Sequence, residues 1–171
     1  RTVESVAAIA NATLAGDAAT VITGLTLSSN DVQEGDLFIA LPGEKAHGAD
    51  FAKDAIARGA VAVLTDAEGA SRVKGVPVIV SAHPRRAAGV ISAWFYSEPM
   101  RDLYSVGVTG TNGKTTTVTL LFNLFRGLGY NVGLLSTVEN KINTTVIPST
   151  HTTPDALTLN ELLSKMVEQS V

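Results

Sequence analysis

The chain has 171 residues, long for one average domain and short for two, and its 45% hydrophobic and 17% charged content suits a packed core rather than a disordered tail. A net charge of −3 argues against a general nucleic-acid binder, and the absence of cysteine excludes disulfides and thiolate metal sites. No apolar run approaches the ~20 residues of a membrane helix, and no basic stretch leads into an apolar block as in a signal peptide. A cytoplasmic protein without membrane insertion is the expectation.

In chain order, Val3, Val6, Ala7, Ile9 and Ala10 fall at helical spacing, Gly16-Asp17 marks a turn, and Val21-Ile22 reads as a short strand. Leu25-Thr26-Leu27 predicts a strand entering the polar loop Ser28-Ser29-Asn30-Asp31, which taken alone is as easily an ordinary turn as a ligand loop. The continuous apolar content of 37–41 and 60–64 predicts two buried strands. Between them lie the loop Pro42-Gly43-Glu44-Lys45-Ala46-His47-Gly48 and a helical pattern over 50–58 that stops at Gly59. Read alone, His47 is an ordinary exposed loop histidine. A strand over 76–80 and a helix from Pro84 to about Tyr96 follow, and Arg85-Arg86 reads as solvated helix charge. Ser97-Glu98-Pro99 breaks the pattern and is the best boundary, dividing the chain into domains 1–98 and 99–171.

The stretch VGVTGTNGKTTT begins at Val106 and carries the strongest chemical signal. An apolar run (Tyr104, Val106, Val108) gives way to Gly110, Thr111, Asn112, Gly113, Lys114, Thr115 and Thr116. A helix follows whose apolar face holds Val118, Leu120, Leu121, Leu124, Phe125 and Leu128. Strand, glycine-rich turn and helix form the context in which Gly-Lys-Thr means phosphate binding. Gly110 and Gly113 let the backbone turn with its N–H groups inward, facing an anion together with the helix N-terminus. Lys114 would reach the β/γ-phosphates of ATP and the Thr115 hydroxyl would ligate Mg²⁺. The spacing is irregular: Val108 stands where the usual pattern has glycine, with Gly107 one place early. Beyond it, 132–135 and 144–147 read as extended, His151-Thr152-Thr153-Pro154-Asp155 as a loop and 157–167 as a helix. The fold class is therefore α/β: a small N-terminal unit followed by the start of a parallel-sheet, phosphate-loop domain. One α/β unit after such a loop does not complete a nucleotide-binding sheet, and the chain opens at Arg1, so a piece of a longer enzyme is expected.

Three of these stretches together resemble the Mur ligases, the ATP-dependent amide-bond ligases of peptidoglycan synthesis. Residues 35–60, from Gly35-Asp36-Leu37-Phe38-Ile39-Ala40 through His47-Gly48 to Gly59-Ala60, are similar to the uridine-binding N-terminal domain shared by the MurE and MurF branches. Gly110-Thr111-Asn112-Gly113-Lys114-Thr115-Thr116 resembles the family's ATP loop and accounts for the glycine spacing, while His151-Thr152-Thr153-Pro154 is similar to a substrate segment of the MurE branch. The resemblance implies that Leu27 and Ser29 contact uridine. It places Glu44, Lys45 and Ala46 on a loop approaching the same nucleotide, and Thr152 and Thr153 against the muramoyl-peptide. Asn30 stands where the family usually has arginine, and Ser28 where aspartate is common.

The implied substrates are a UDP-N-acetylmuramoyl-dipeptide and a diamino acid, joined through an acyl phosphate made with ATP, by a protein expected to be monomeric. In the family, further Mg²⁺ ligands, a carbamylated lysine and the amino-acid pocket come later in the chain, so these residues alone are expected not to complete the reaction. A MurF-type ligase and a non-catalytic UDP-sugar-binding module remain the alternatives.

Overall fold

A computed structural model describes residues 1–148 and 154–171. The expected contacts at Thr152 and Thr153 lie outside the described residues. The chain forms two compact units, Arg1–Phe95 and Tyr96–Val171.

In the first unit the two continuous apolar stretches become β3 (Asp36–Ile39) and β4 (Ala62–Thr65), buried at every position. Burial on both faces is what a central parallel strand requires. They sit in the middle of a five-stranded sheet with β2 (Gly24–Thr26), β5 (Val78–Val80) and β1 (Thr13–Ala15), in the order β1-β5-β4-β3-β2. β2 through β5 run parallel, with Leu37 opposite Ala62 and Leu64 opposite Ile79, and β1 closes the edge antiparallel to β5. The expected strand at Val21-Ile22 is instead a single bridge from Val21 to Thr2. Thr2 is already the N-cap of α1 (Val3–Ile9), so the chain turns into a helix before a ladder can extend.

Alternation across the strands divides the core. Phe38, Ala40 and Val63 pack with Ala49, Ala52 and Ala55 of the segment built from a 3-10 turn (Gly48–Phe51) and α2 (Ala52–Ala57). Leu37, Ile39, Leu64 and Ile79 point the other way and are equally buried. α1 and α4 (Pro84–Phe95) contact each other and supply the buried Val3, Val6, Ala87, Ala88 and Ile91. Each such fully buried large aliphatic or aromatic side chain contributes about 1.5–3 kcal/mol. A short α3 (Ala67–Ala70) follows β4.

In the second unit, α5 (Lys114–Gly127) begins at Gly113, whose φ of 78° is left-handed. β6 (Gly133–Leu135), β7 (Asn140–Ile142) and β8 (Thr145–Ile147) form an antiparallel meander. α6 (Ala156–Glu168), capped by the Asp155 carboxylate on the amides of Leu157 and Thr158, packs Leu163 and Met166 against Ile142. Two expectations are corrected here. Residues 104–109, expected as a strand, belong to no sheet among the described residues, and Tyr104 and Val106 are exposed. A parallel strand needs a partner reached through a crossover connection, and the strands described in this unit pair only with one another, antiparallel. The expected apolar face of α5 is also largely open: Leu120, Leu124 and Leu128 are exposed and only Phe122 is buried.

Candidate functional site

In open α/β sheets ligands bind outside the carboxyl ends of parallel strands. Two loops leave such ends side by side, because β2 and β3 are neighbours in the sheet. The loop after β2 brings Leu27, Ser28, Ser29 and Asn30, and the segment after β3 brings Leu41, Ala46 and Gly48, to one open cavity of about 650 Å³. Phe38 and Ile39 form part of its wall, and Phe51 and Asp54 complete it. That size suits a small organic ligand. The lining combines apolar side chains with hydroxyl and amide groups, and Phe51 is 45% exposed, so its ring remains accessible to a flat ligand.

Of the residues singled out in the sequence, Leu27, Ser29 and Ala46 meet in this cavity. Glu44 and Lys45 are exposed on the same loop without lining it. The β2 loop is ordered by its own short side chains. Thr26 Oγ1 accepts the Ser28 N–H at 3.2 Å and donates to the Ser28 carbonyl at 3.1 Å, while Ser28 Oγ accepts the Asn30 N–H. Arg58, at the end of α2, donates to the Asn30 carbonyl at 3.1 Å, so a guanidinium braces the loop from below.

The loop after β3 is pinned at its base. Gly48 N–H donates to the Leu41 carbonyl at 2.9 Å, and the backbones come so close that a Cβ on Gly48 would lie 2.7 Å from Leu41 N and O. His47 caps the 3-10 turn: its Nδ1 accepts the Ala49 N–H at 3.0 Å, and Asp50 accepts the His47 N–H at 3.2 Å. Its Nε2 lies 3.1 Å from Asp66 Oδ1, and the side chain is only 8% exposed. The expectation of a surface histidine is thereby corrected, because the loop folds inward at Gly48. Nothing in the local sequence marks this, since the partner lies nineteen residues on. Asp66 also caps α3 through the Gly69 N–H at 2.7 Å, and that bond, followed by the contact with His47, holds its carboxyl below the usual aspartate range. Asp50 is lowered chiefly by its hydrogen bond from Arg72.

In the second unit the glycine-rich segment 110–113 leads directly into α5. The first-turn amides of a helix have no acceptor within it, so they and the dipole form an anion-binding end. Lys114 Nζ folds back over the loop, donating to the carbonyl of Gly110 and, at 3.4 Å, to that of Thr111. The ammonium thus sits at the loop mouth, exposed and placed to exchange these carbonyls for phosphate oxygens. Thr115 is half-buried at the second position of the helix. Among the described residues no cluster of three or more His, Cys, Asp or Glu could hold a metal. A single hydroxyl fits Mg²⁺ only as one ligand of an ion held mainly by phosphates and water.

Residues 21–96 match the family model described as Mur ligase family, catalytic domain, and residues 108–171 match that of the Mur ligase middle domain. The UDP-N-acetylmuramoyl-L-alanyl-D-glutamate--2,6-diaminopimelate ligase of Cytophaga hutchinsonii is 48% identical over 151 residues, covering 86% of this chain and 30% of that protein. The UDP-N-acetylmuramyl-tripeptide synthetase of Leifsonia xyli is 43% identical over 152 residues, covering 88% and 30%. A solved diaminopimelate ligase of the same name as the Cytophaga protein superposes with a TM-score of 0.68 at 29% identity, again over 88% of this chain and 30% of the other. MurF from Acinetobacter baumannii shares the fold, with a TM-score of 0.64 at 20% identity over 95% of this chain and 32% of its own. The chain belongs to the Mur ligase family. It spans about 30% of the length of the relatives it matches.

Proposed function

We propose that this chain carries the nucleotide-sugar-holding and ATP-phosphate-holding parts of a cytoplasmic, monomeric, ATP-dependent ligase. The ligase joins a diamino acid to the D-glutamate carboxylate of UDP-N-acetylmuramoyl-L-alanyl-D-glutamate. The observation that carries the reading is the convergence of Leu27, Ser29 and Ala46, from two separate loops, on one cavity at the carboxyl ends of neighbouring parallel strands. The names of relatives 40–48% identical to the chain favour the branch that adds the third residue.

In this reading residues 1–98 hold the uridine in that cavity, with Glu44 and Lys45 at its approach. Residues 99–171 hold ATP, and Thr152 and Thr153 meet the muramoyl-peptide. Holding the nucleotide far from the reacting carboxylate turns remote binding energy into placement of the reactive end. Phosphoryl transfer to that carboxylate concentrates negative charge on the transferring group, and the parts suited to neutralising it are the 110–116 amides and the Lys114 ammonium. A Mg²⁺ ion, with Thr115 Oγ1 among its ligands, would supply further charge neutralisation there. An amine then displaces phosphate from the acyl phosphate and the amide forms.

Calorimetry with UDP and with a non-hydrolysable ATP analogue tests the reading. UDP should bind the wild-type chain, and Leu27→Arg, which fills the cavity, should abolish that binding while sparing the ATP analogue. Lys114→Ala should do the reverse, weakening the analogue by about 10–100-fold, the worth of one charge-assisted contact. Wild-type protein that takes neither ligand at millimolar concentration, or a Leu27→Arg variant that binds UDP normally, would sink it.

A further inference from the structure

We propose that His47 is a positioning residue for the nucleotide cavity, bolting the 42–47 loop to the end of β4 so that Ala46 and Gly48 stand as a preformed wall. The proposal rests on the nucleotide reading for its ligand and on independent geometry for the bolt.

Three observations define that geometry. The loop leaves the sheet at Leu41 and returns at Gly48, and between these points its described internal ties are a bond from Gly43 N–H to the Ala46 carbonyl and a bridge between Pro42 and His47. His47 is the residue of this excursion whose side chain is buried and reaches another part of the sheet, at Asp66 directly after β4. The space it fills is made for it: a Cβ on Gly69 would collide with the imidazole Cε1 and with Thr65 Oγ1.

The hydrogen-bond roles then fix the ring. Nδ1 accepts the Ala49 N–H, so in the neutral ring the proton sits on Nε2 and is donated to Asp66 Oδ1. Asp66 Oδ1 in turn accepts the Gly69 N–H that caps α3. The chain of contacts therefore runs from the start of the 3-10 turn, through the imidazole and the carboxylate, into α3. Both ring nitrogens are occupied by the protein, which leaves none for a ligand; His47 acts through the wall and not by touching the nucleotide. Without the bolt the described ties on the tip carrying Ala46 reduce to the Gly43–Ala46 bond, the Pro42–His47 bridge and the Arg85 contact with the Pro42 carbonyl, and ligand binding must order it further. Ordering a loop on binding weakens affinity, here by about tenfold.

Two substitutions separate the bolt from the cap. His47→Asn places an amide oxygen where Nδ1 stands and can still accept the Ala49 N–H, yet it is too short to reach Asp66. Asp66→Asn keeps an oxygen that accepts from both Gly69 and His47. UDP affinity of the whole chain, measured well below the thermal midpoint of each variant, should fall about tenfold in His47→Asn and less than threefold in Asp66→Asn. Asp66→Ala should weaken UDP as His47→Asn does, and the double variant His47→Asn/Asp66→Ala no further than either single one, as coupled partners require. Nitrogen-detected NMR of His47 should show Nε2 protonated and Nδ1 bare. Amide exchange over 43–48 should accelerate in His47→Asn. Unchanged UDP affinity in that variant, additive losses in the double variant, or an Nδ1–H tautomer each overturns the proposal. Wild-type protein that fails to bind UDP overturns the nucleotide reading instead; in that case accelerated exchange upholds the bolt and unchanged exchange removes it.

Discussion

Asp66 meets the His47 ring and Asp50 the His47 backbone N–H, and the two carboxylates have different further neighbours. Asp66 is held low first by the Gly69 amide, Asp50 first by the Arg72 guanidinium, whose own pKa is raised in return. Asp50 and Arg72 are exposed, so their attraction is screened and adds little. Asp66 is the more consequential of the two. A carboxylate whose folded pKa lies below its ordinary value of 3.8 stabilises the fold in its charged form. That contribution is complete above the ordinary value and disappears as the pH falls through the folded one. Urea unfolding at a series of acidic pH values should therefore show stability falling below about pH 3.8, and Asp66→Asn should flatten that limb relative to wild type.

Among the elements, α6 shows how a cap and an apolar stripe act together. The Asp155 carboxylate accepts the Leu157 and Thr158 amides at 2.9 and 3.0 Å, fixing where the helix starts and hence which residues face Ile142. Asp155→Ala should destabilise the second unit by about 1 kcal/mol, readable as a lower denaturant midpoint. The turn that ends α2 is set by sterics instead. Gly59 has a φ of +116°, and a Cβ there would lie 2.8 Å from Glu34 Cα. The helix stop expected at this glycine thus reflects both a left-handed turn and a close backbone approach. By contrast α5 carries apolar residues at helical spacing, yet that face is mostly exposed, since periodicity specifies a face and not what covers it.

For the whole molecule, the first unit's sheet, helices and candidate cavity all lie within Arg1–Phe95. A polypeptide of residues 1–95 should therefore fold by itself, melt cooperatively and bind UDP within threefold of the full chain. Circular dichroism and calorimetry on that fragment check it; an unfolded fragment would mean that the second unit is needed to complete the first.

Much of this was legible in the residues. The buried strands at 36–39 and 62–65 followed from unbroken apolar runs, α4 and α6 from periodicity, and the turn into α5 from glycines placed before Lys114. The short elements β1, β7 and α3 were not legible, because three or four residues carry too little periodic signal to stand out. The sequence by itself determined the buried central strands of the first unit and where the backbone must turn, since hydrophobic runs and glycine sterics act locally. Only the tertiary structure decided that Leu27 and Ala46 share a cavity and that His47 is buried against Asp66. Those pairings span nineteen residues each and depend on β2, β3 and β4 lying side by side in the sheet.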